Sequence, residues 1–179
     1  MDVKKLIALL LGVGLFAFSG PQKITMKQYQ QVFPKMDAHS KMKKVEDISY
    51  VEAWDEGFDR FEEEKIGYVF LGQVEQNGKA SRLLVSVDLS GKVVGVGLPK
   101  QTDTQAAFLK QFKGMTTQSD FGLAESSDDL LYVPAKLRAM RGDKALSAAI
   151  AQEVGKIMAV AGKHLFKIKT VVNKRLSQK

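Results

Sequence analysis

The stretch GYVFLGQVEQNGKASRLLVSVDLSGKVVGVGL, residues 67–98, decides the fold class. It divides into three apolar runs separated by two polar turns. Asn77 and Gly78 form a strong hairpin signal, because both central positions of a tight hairpin turn want positive φ and these two residues adopt it readily. Ser90 and Gly91 mark a second turn of the same kind. Three antiparallel strands are therefore predicted, with Val69, Leu71, Leu83, Val85, Val87, Val94, Val96 and Leu98 supplying a buried face. Gly95 and Gly97 leave room for close approach of another backbone or of a ligand.

Downstream of the meander, AAFLKQFKGM places Phe108, Leu109 and Phe112 on one helical stripe, with Gly114 as the stop. A longer helix opens near Asp143. Its stripe is Leu146, Ile150, Val154, Ile157, Met158 and Ala161, and Gly162 is read as its end. Upstream, TMKQYQQV (25–32) reads as a short helix capped by Thr25 and closed by Phe33 and Pro34. ISYVEAW (48–54) alternates like a strand. The acidic run after it carries Asp55, Glu56, Asp59, Glu62, Glu63 and Glu64 without the ligand spacing of a calcium loop, so it reads as a solvated loop. The basic tail (163–179) alternates charge and apolar residues and fits either an added strand or a surface helix.

The N-terminus has the three parts of an export leader: Lys4 and Lys5, an apolar run at 6–18, then Ser19 and Gly20 before Pro21. Cleavage after Ser19 and retention as a membrane anchor are both open, the run being shorter than the ~20 residues that span a bilayer comfortably. Residues 1–19 are thus a signal peptide or anchor, 20–162 one domain, and 163–179 a basic extension. Either outcome places the domain on the extracytoplasmic, periplasmic side. With 45% hydrophobic and 26% charged residues, a single ordinary domain is expected. The chain has no cysteine, which excludes disulfides, iron–sulfur ligands, thiolate zinc sites and lipoprotein attachment. The formal net charge of +7 reads as a solvated surface or as contact with anionic lipid or an acidic partner.

No catalytic set assembles from the residue types present. His39 and His164 stand alone in sequence, and neither metal-ligand spacing nor a nucleophile turn occurs. Trp54 reads as core. Nucleic acid is not an expected partner, because no basic and aromatic stacking pattern is present.

The order of elements carries more information than any one of them. The VFP segment (32–34), the strands of the meander, the loop PKQTDTQ (99–105), FLKQFKGM (108–115) and the helix opening RGDKALSAAIAQEV (141–154) together resemble the FMN-binding domain family, typified by flavin-carrying components of Rnf electron-transport complexes and of sodium-translocating NADH:quinone reductases. The resemblance covers about residues 25–161. It implies an α+β fold, a twisted antiparallel sheet with helices packed on one face, preceded by the N-terminal signal or anchor helix. It also implies FMN held at the start of the long helix, where that family attaches flavin to a threonine in a motif of the form SGATxTS.

Gly142 and Ser147 keep that register, but Leu146 stands at the acceptor position and has no hydroxyl to carry a phosphoester. The family's glycine-rich loop is reduced to Thr102. The resemblance therefore implies non-covalent FMN, with Arg141 and Lys144 neutralising the phosphate, Gly142 permitting close approach, Ser147 donating, and Thr102 with the sheet glycines flanking the ring. Backbone N–H groups at a helix N-terminus favour such an anion. The function implied is an accessory of a membrane electron-transfer complex with a redox or cytochrome-type partner, an electron-transfer flavoprotein component rather than a stand-alone enzyme. The alternative is a cofactor-free binding or assembly module that keeps the fold.

Overall fold

A computed structural model describes residues 23–57, 63–76, 78–126 and 136–166. The leader, Asn77 and the tail beyond Phe166 lie outside the described residues, as do Asp59 and Glu62 of the acidic run.

The chain is α+β, built on an antiparallel sheet of six strands. In chain order the elements are α1 (Met26–Val32), β1 (Ala38–His39), β2 (Lys43–Val45), β3 (Ile48–Asp55), β4 (Glu64–Gln76), β5 (Lys79–Asp88), β6 (Val93–Gly97), α2 (Asp103–Leu109) continued by a 3-10 turn (Lys110–Phe112), and α3 (Lys144–His164). The sheet order is β1-β3-β4-β5-β6, with β2 also pairing along the free edge of β3. The far edge at β6 is not bare. Gly114 N–H donates to the Val93 carbonyl and Val93 N–H to the Met115 carbonyl, each at 2.8 Å. Covering an edge in this way removes a template for unwanted strand pairing.

The first hairpin has the two-residue loop that the sequence implies: Gln76 pairs with Lys79, and Gly78 has φ +70°. The second differs. Asp88 N–H bonds to the Lys92 carbonyl, so three residues form the loop and only Gly91, at φ +82°, is left-handed. The Asp88 carboxylate explains the change, since its Oδ1 accepts from the N–H groups of Ser90 at 2.8 Å and Lys92 at 3.0 Å and holds the longer turn.

Helices cover both faces of the sheet, which corrects the expectation of one. On one face α2, the 3-10 turn and α3 bury Phe70, Leu83, Val85, Val87 and Val96. On the other, α1 and the segment to Met36 bury Val51, Ala53, Val69 and Leu84. Residues directly opposite each other in a ladder share a face, and Val69 pairs with Ser86 and Leu71 with Leu84. Val69 and Leu71 therefore turn toward α1, and Val94 packs there too, so the predicted single face divides between two. A sheet apolar on both sides loses the alternation by which a sequence marks its faces.

Gly95 and Gly97 serve backbone packing. A Cβ on Gly95 would lie 2.5 Å from the Val32 carbonyl oxygen, and one on Gly97 would lie 2.7 Å from Val32 Cγ1. The end of α1 thus rests directly on β6.

All six predicted stripe residues of α3 are buried. The helix runs on to His164, because Gly162 packs on Thr117, whose Cγ2 would sit 2.8 Å from a Cβ there. Gly162 is a contact point rather than a stop. Trp54 is only half-buried and belongs to neither core cluster, which corrects its reading as core. In the C-terminal half of α3, Lys156 pairs with Asp47 at 2.6 Å, and Glu46 accepts from Lys163 at 2.8 Å with His164 Nε2 at 2.7 Å. These contacts pin the helix to the turn between β2 and β3. No helix among the described residues is long and apolar enough to cross a membrane.

Candidate functional site

The α3 N-terminus is built by a tight turn. Asp143 N–H bonds to the Met140 carbonyl at 3.3 Å, and Gly142 takes φ +81° with no atom within 4 Å of a Cβ built on it. Asp143 then caps the helix, its Oδ1 accepting from Leu146 N–H at 3.1 Å. A carboxylate at this position satisfies an orphan N–H group and complements the helix dipole. It also places a negative charge where a phosphate would have to come.

Ser147 is fully buried. Its hydroxyl donates to the Asp143 carbonyl at 2.7 Å and accepts from Met140 N–H at 2.8 Å. A hydroxyl has one proton to give, and this one is committed to fixing the turn. The expected role of Ser147 as a phosphate donor is therefore corrected to that of a turn-fixing residue. Leu146, at the position of the family's acceptor threonine, is 5% exposed and packs in the main core with Ile150.

Arg141 and Lys144 are exposed beside this end. Thr102 lies at the start of α2, where its Oγ1 accepts from Gln105 N–H at 3.3 Å while Gln105 Oε1 accepts from Thr102 N–H at 2.9 Å. That reciprocal pair is a capping box and accounts for Thr102 without a ligand. The segment that leads into α3 packs on the far end of α2, not on its start. Gln111 accepts from Arg138 N–H at 2.8 Å and donates to its carbonyl at 3.0 Å, and Leu137 and Met140 join the cluster of Phe108 and Phe112. The five candidate residues are thus two capped helix ends on the α3 face.

These residues do not fit FMN in the manner the resemblance implies. The acceptor position is in the core, the serine proton is taken, and an aspartate holds the helix end.

A groove exists elsewhere, and sequence reasoning missed it. It measures about 980 Å³ and lies on the opposite face, between α1 and the β4–β5 hairpin, with Pro99 and Lys100 at one side. Its lining includes Lys23, Lys27, Lys79, Arg82 and Lys100, together with Gln28, Gln31, Gln73 and Gln76. No carboxylate is among the lining residues, and none of the five candidate residues lines it. The cations were visible in the sequence, but their convergence needs the α1 segment laid on β5 and β6. No His, Asp or Glu cluster able to hold a metal occurs among the described residues. No protein-family model matches the chain, and a search of curated proteins finds no match.

Proposed function

We propose that the chain is a cofactor-free binding or assembly module on the extracytoplasmic side of the membrane, built on a scaffold similar to FMN-binding domains. One observation carries the reading: the first turn of α3 is closed by the Asp143 cap, with the Ser147 hydroxyl bonded on both sides and Leu146 buried. A phosphate entering there would displace a cap worth about 0.5–2 kcal/mol. It would also meet the Asp143 charge. The leader, read from Lys4 to Gly20, supports the location.

Titrating the full chain with FMN while following flavin fluorescence and the visible spectrum tests this. No binding at roughly tens of micromolar is expected, an affinity weaker than about −6 to −7 kcal/mol. Native mass should show no flavin increment.

A second reading is favoured by the exposed Arg141 and Lys144 and by the open space over Gly142. In it these cations hold FMN without a covalent bond, and the domain serves a membrane redox complex or cytochrome-type partner. Stoichiometric binding that weakens when Arg141 and Lys144 are both replaced by Ala would establish it in place of the first.

A further inference from the structure

We propose that the groove between α1 and the β4–β5 hairpin binds the phosphate headgroups of anionic phospholipid and seats the domain on the membrane surface. The charge of its lining is of one sign. Lys23, Lys27, Lys79 and Lys100 are exposed, and Arg82 joins them. Elsewhere on the surface some cations are matched, although among the described residues exposed lysines such as Lys41, Lys110 and Lys113 are not. Lys43 and Lys65 share Glu52, Lys156 has Asp47, and Lys163 has Glu46. Among the described residues none of the four groove lysines takes part in an ion pair.

The rest of the lining suits a phosphodiester. Glutamines bring no repelling charge: Gln73 can offer both donors and an acceptor, and Gln28, whose Oε1 accepts from Thr25 N–H at 2.9 Å, keeps its N–H donors for phosphate oxygens. A site of about 980 Å³ accommodates more than one headgroup.

Position in the chain selects the occupant. Lys23 follows Phe18, the last residue of the apolar leader, by only five positions. Fully extended, that connection reaches about 17 Å, so a leader lodged in a bilayer keeps the groove at the headgroup layer. An acidic peptide would satisfy the same cations but gains nothing from this placement. Basic residues next to a membrane segment are attracted to anionic lipid, and the attraction weakens with salt. The proposal does not depend on whether flavin binds: the site lies on the other face and is read by a different signal.

The test uses the chain starting at Gly20, which removes the leader's own affinity for lipid. Every described element and both core clusters lie within residues 23–166, so this chain keeps them all. Co-sedimentation is measured with vesicles of phosphatidylcholine alone and with about 30% phosphatidylglycerol, together with a polyglutamate competitor. Binding to the anionic vesicles alone is expected, falling about tenfold or more between ~50 and ~200 mM salt. Lys23→Gln/Lys27→Gln/Lys100→Gln should weaken it at least about tenfold, whereas Lys41→Gln/Lys110→Gln/Lys113→Gln, with the same change in charge, should leave it within about twofold.

Equal losses in the two triple variants would overturn the proposal, because attraction would then be to net charge. So would equal binding to neutral and anionic vesicles. Tight polyglutamate binding that needs the groove lysines, without vesicle binding, would replace lipid with an acidic protein partner.

Discussion

The Ser86 hydroxyl donates to the Val32 carbonyl at 2.6 Å, joining β5 to the end of α1 across 54 positions of sequence. The Gly95 carbonyl lies 3.0 Å from the same oxygen, and Ser86 is completely buried. A short hydroxyl side chain thus supplies the polar contact that the last turn of α1 needs inside an apolar interface.

Ser86→Ala leaves the buried Val32 carbonyl without this donor. A loss of about 1–3 kcal/mol is expected, the cost of an unsatisfied buried polar group. Urea denaturation should show an earlier midpoint with an unchanged slope. A variant as stable as the parent would mean that the carbonyl finds another donor.

Two glycines predict different costs from different causes. Gly95→Ala places a methyl 2.5 Å from the Val32 oxygen, so α1 must move off the sheet, and a loss of about 1–3 kcal/mol is expected. Gly142→Ala has open space and pays only for its left-handed backbone, about 1–2 kcal/mol. Limited proteolysis separates them, with early cleavage near α1 expected only for Gly95→Ala.

Leu146→Thr restores a hydroxyl at the family's acceptor position. Because Leu146 is buried beside Ile150, that hydroxyl lands in the core, and a loss of about 2–4 kcal/mol is expected with no gain of covalent flavin. Intact mass after incubation with FMN checks the second part. An FMN increment would show that the helix end opens.

Acid should weaken the fold through Glu52. Lys43, at 2.7 Å, and Lys65, at 2.9 Å, hold its carboxyl below the usual carboxylate range, and its side chain is 17% exposed. A carboxyl whose folded-state pKa is depressed stabilises above its ordinary range, and that contribution disappears as pH falls through the folded value. Glu52→Gln should therefore cost about 1 kcal/mol or less near neutrality and flatten the acid limb of stability against pH. Urea midpoints measured from neutral pH down through the carboxylate range provide the comparison.

Much of the fold could be read from local pattern. Asn77-Gly78, the valine-rich runs and the α3 stripe each carry their own signal within a few residues, and the strands and helix follow from them. What escaped was relational. Val69 and Leu83 look alike in sequence, and only the ladder register sends them to opposite faces. The two-residue β1 and the three-residue β2 are too short to show a period. Gly162 reads as a helix stop until Thr117 is placed beside it. At the candidate site the caps Thr102 and Asp143 were legible as residue types, but the commitment of the Ser147 proton appears only when Met140 and Asp143 are positioned around it. The groove has no local signal at all, since its cations come from separate segments of the chain.

The packing of α1 sets an order of events at synthesis. A chain emerges from its N-terminus. Val32, Phe33 and Met36 therefore appear long before Ser86, Gly95 and Gly97, the residues against which the end of α1 is held. Until β6 has been made, this apolar strap has no surface to settle on, and a chaperone meeting the nascent chain would find there its first binding stretch after the leader.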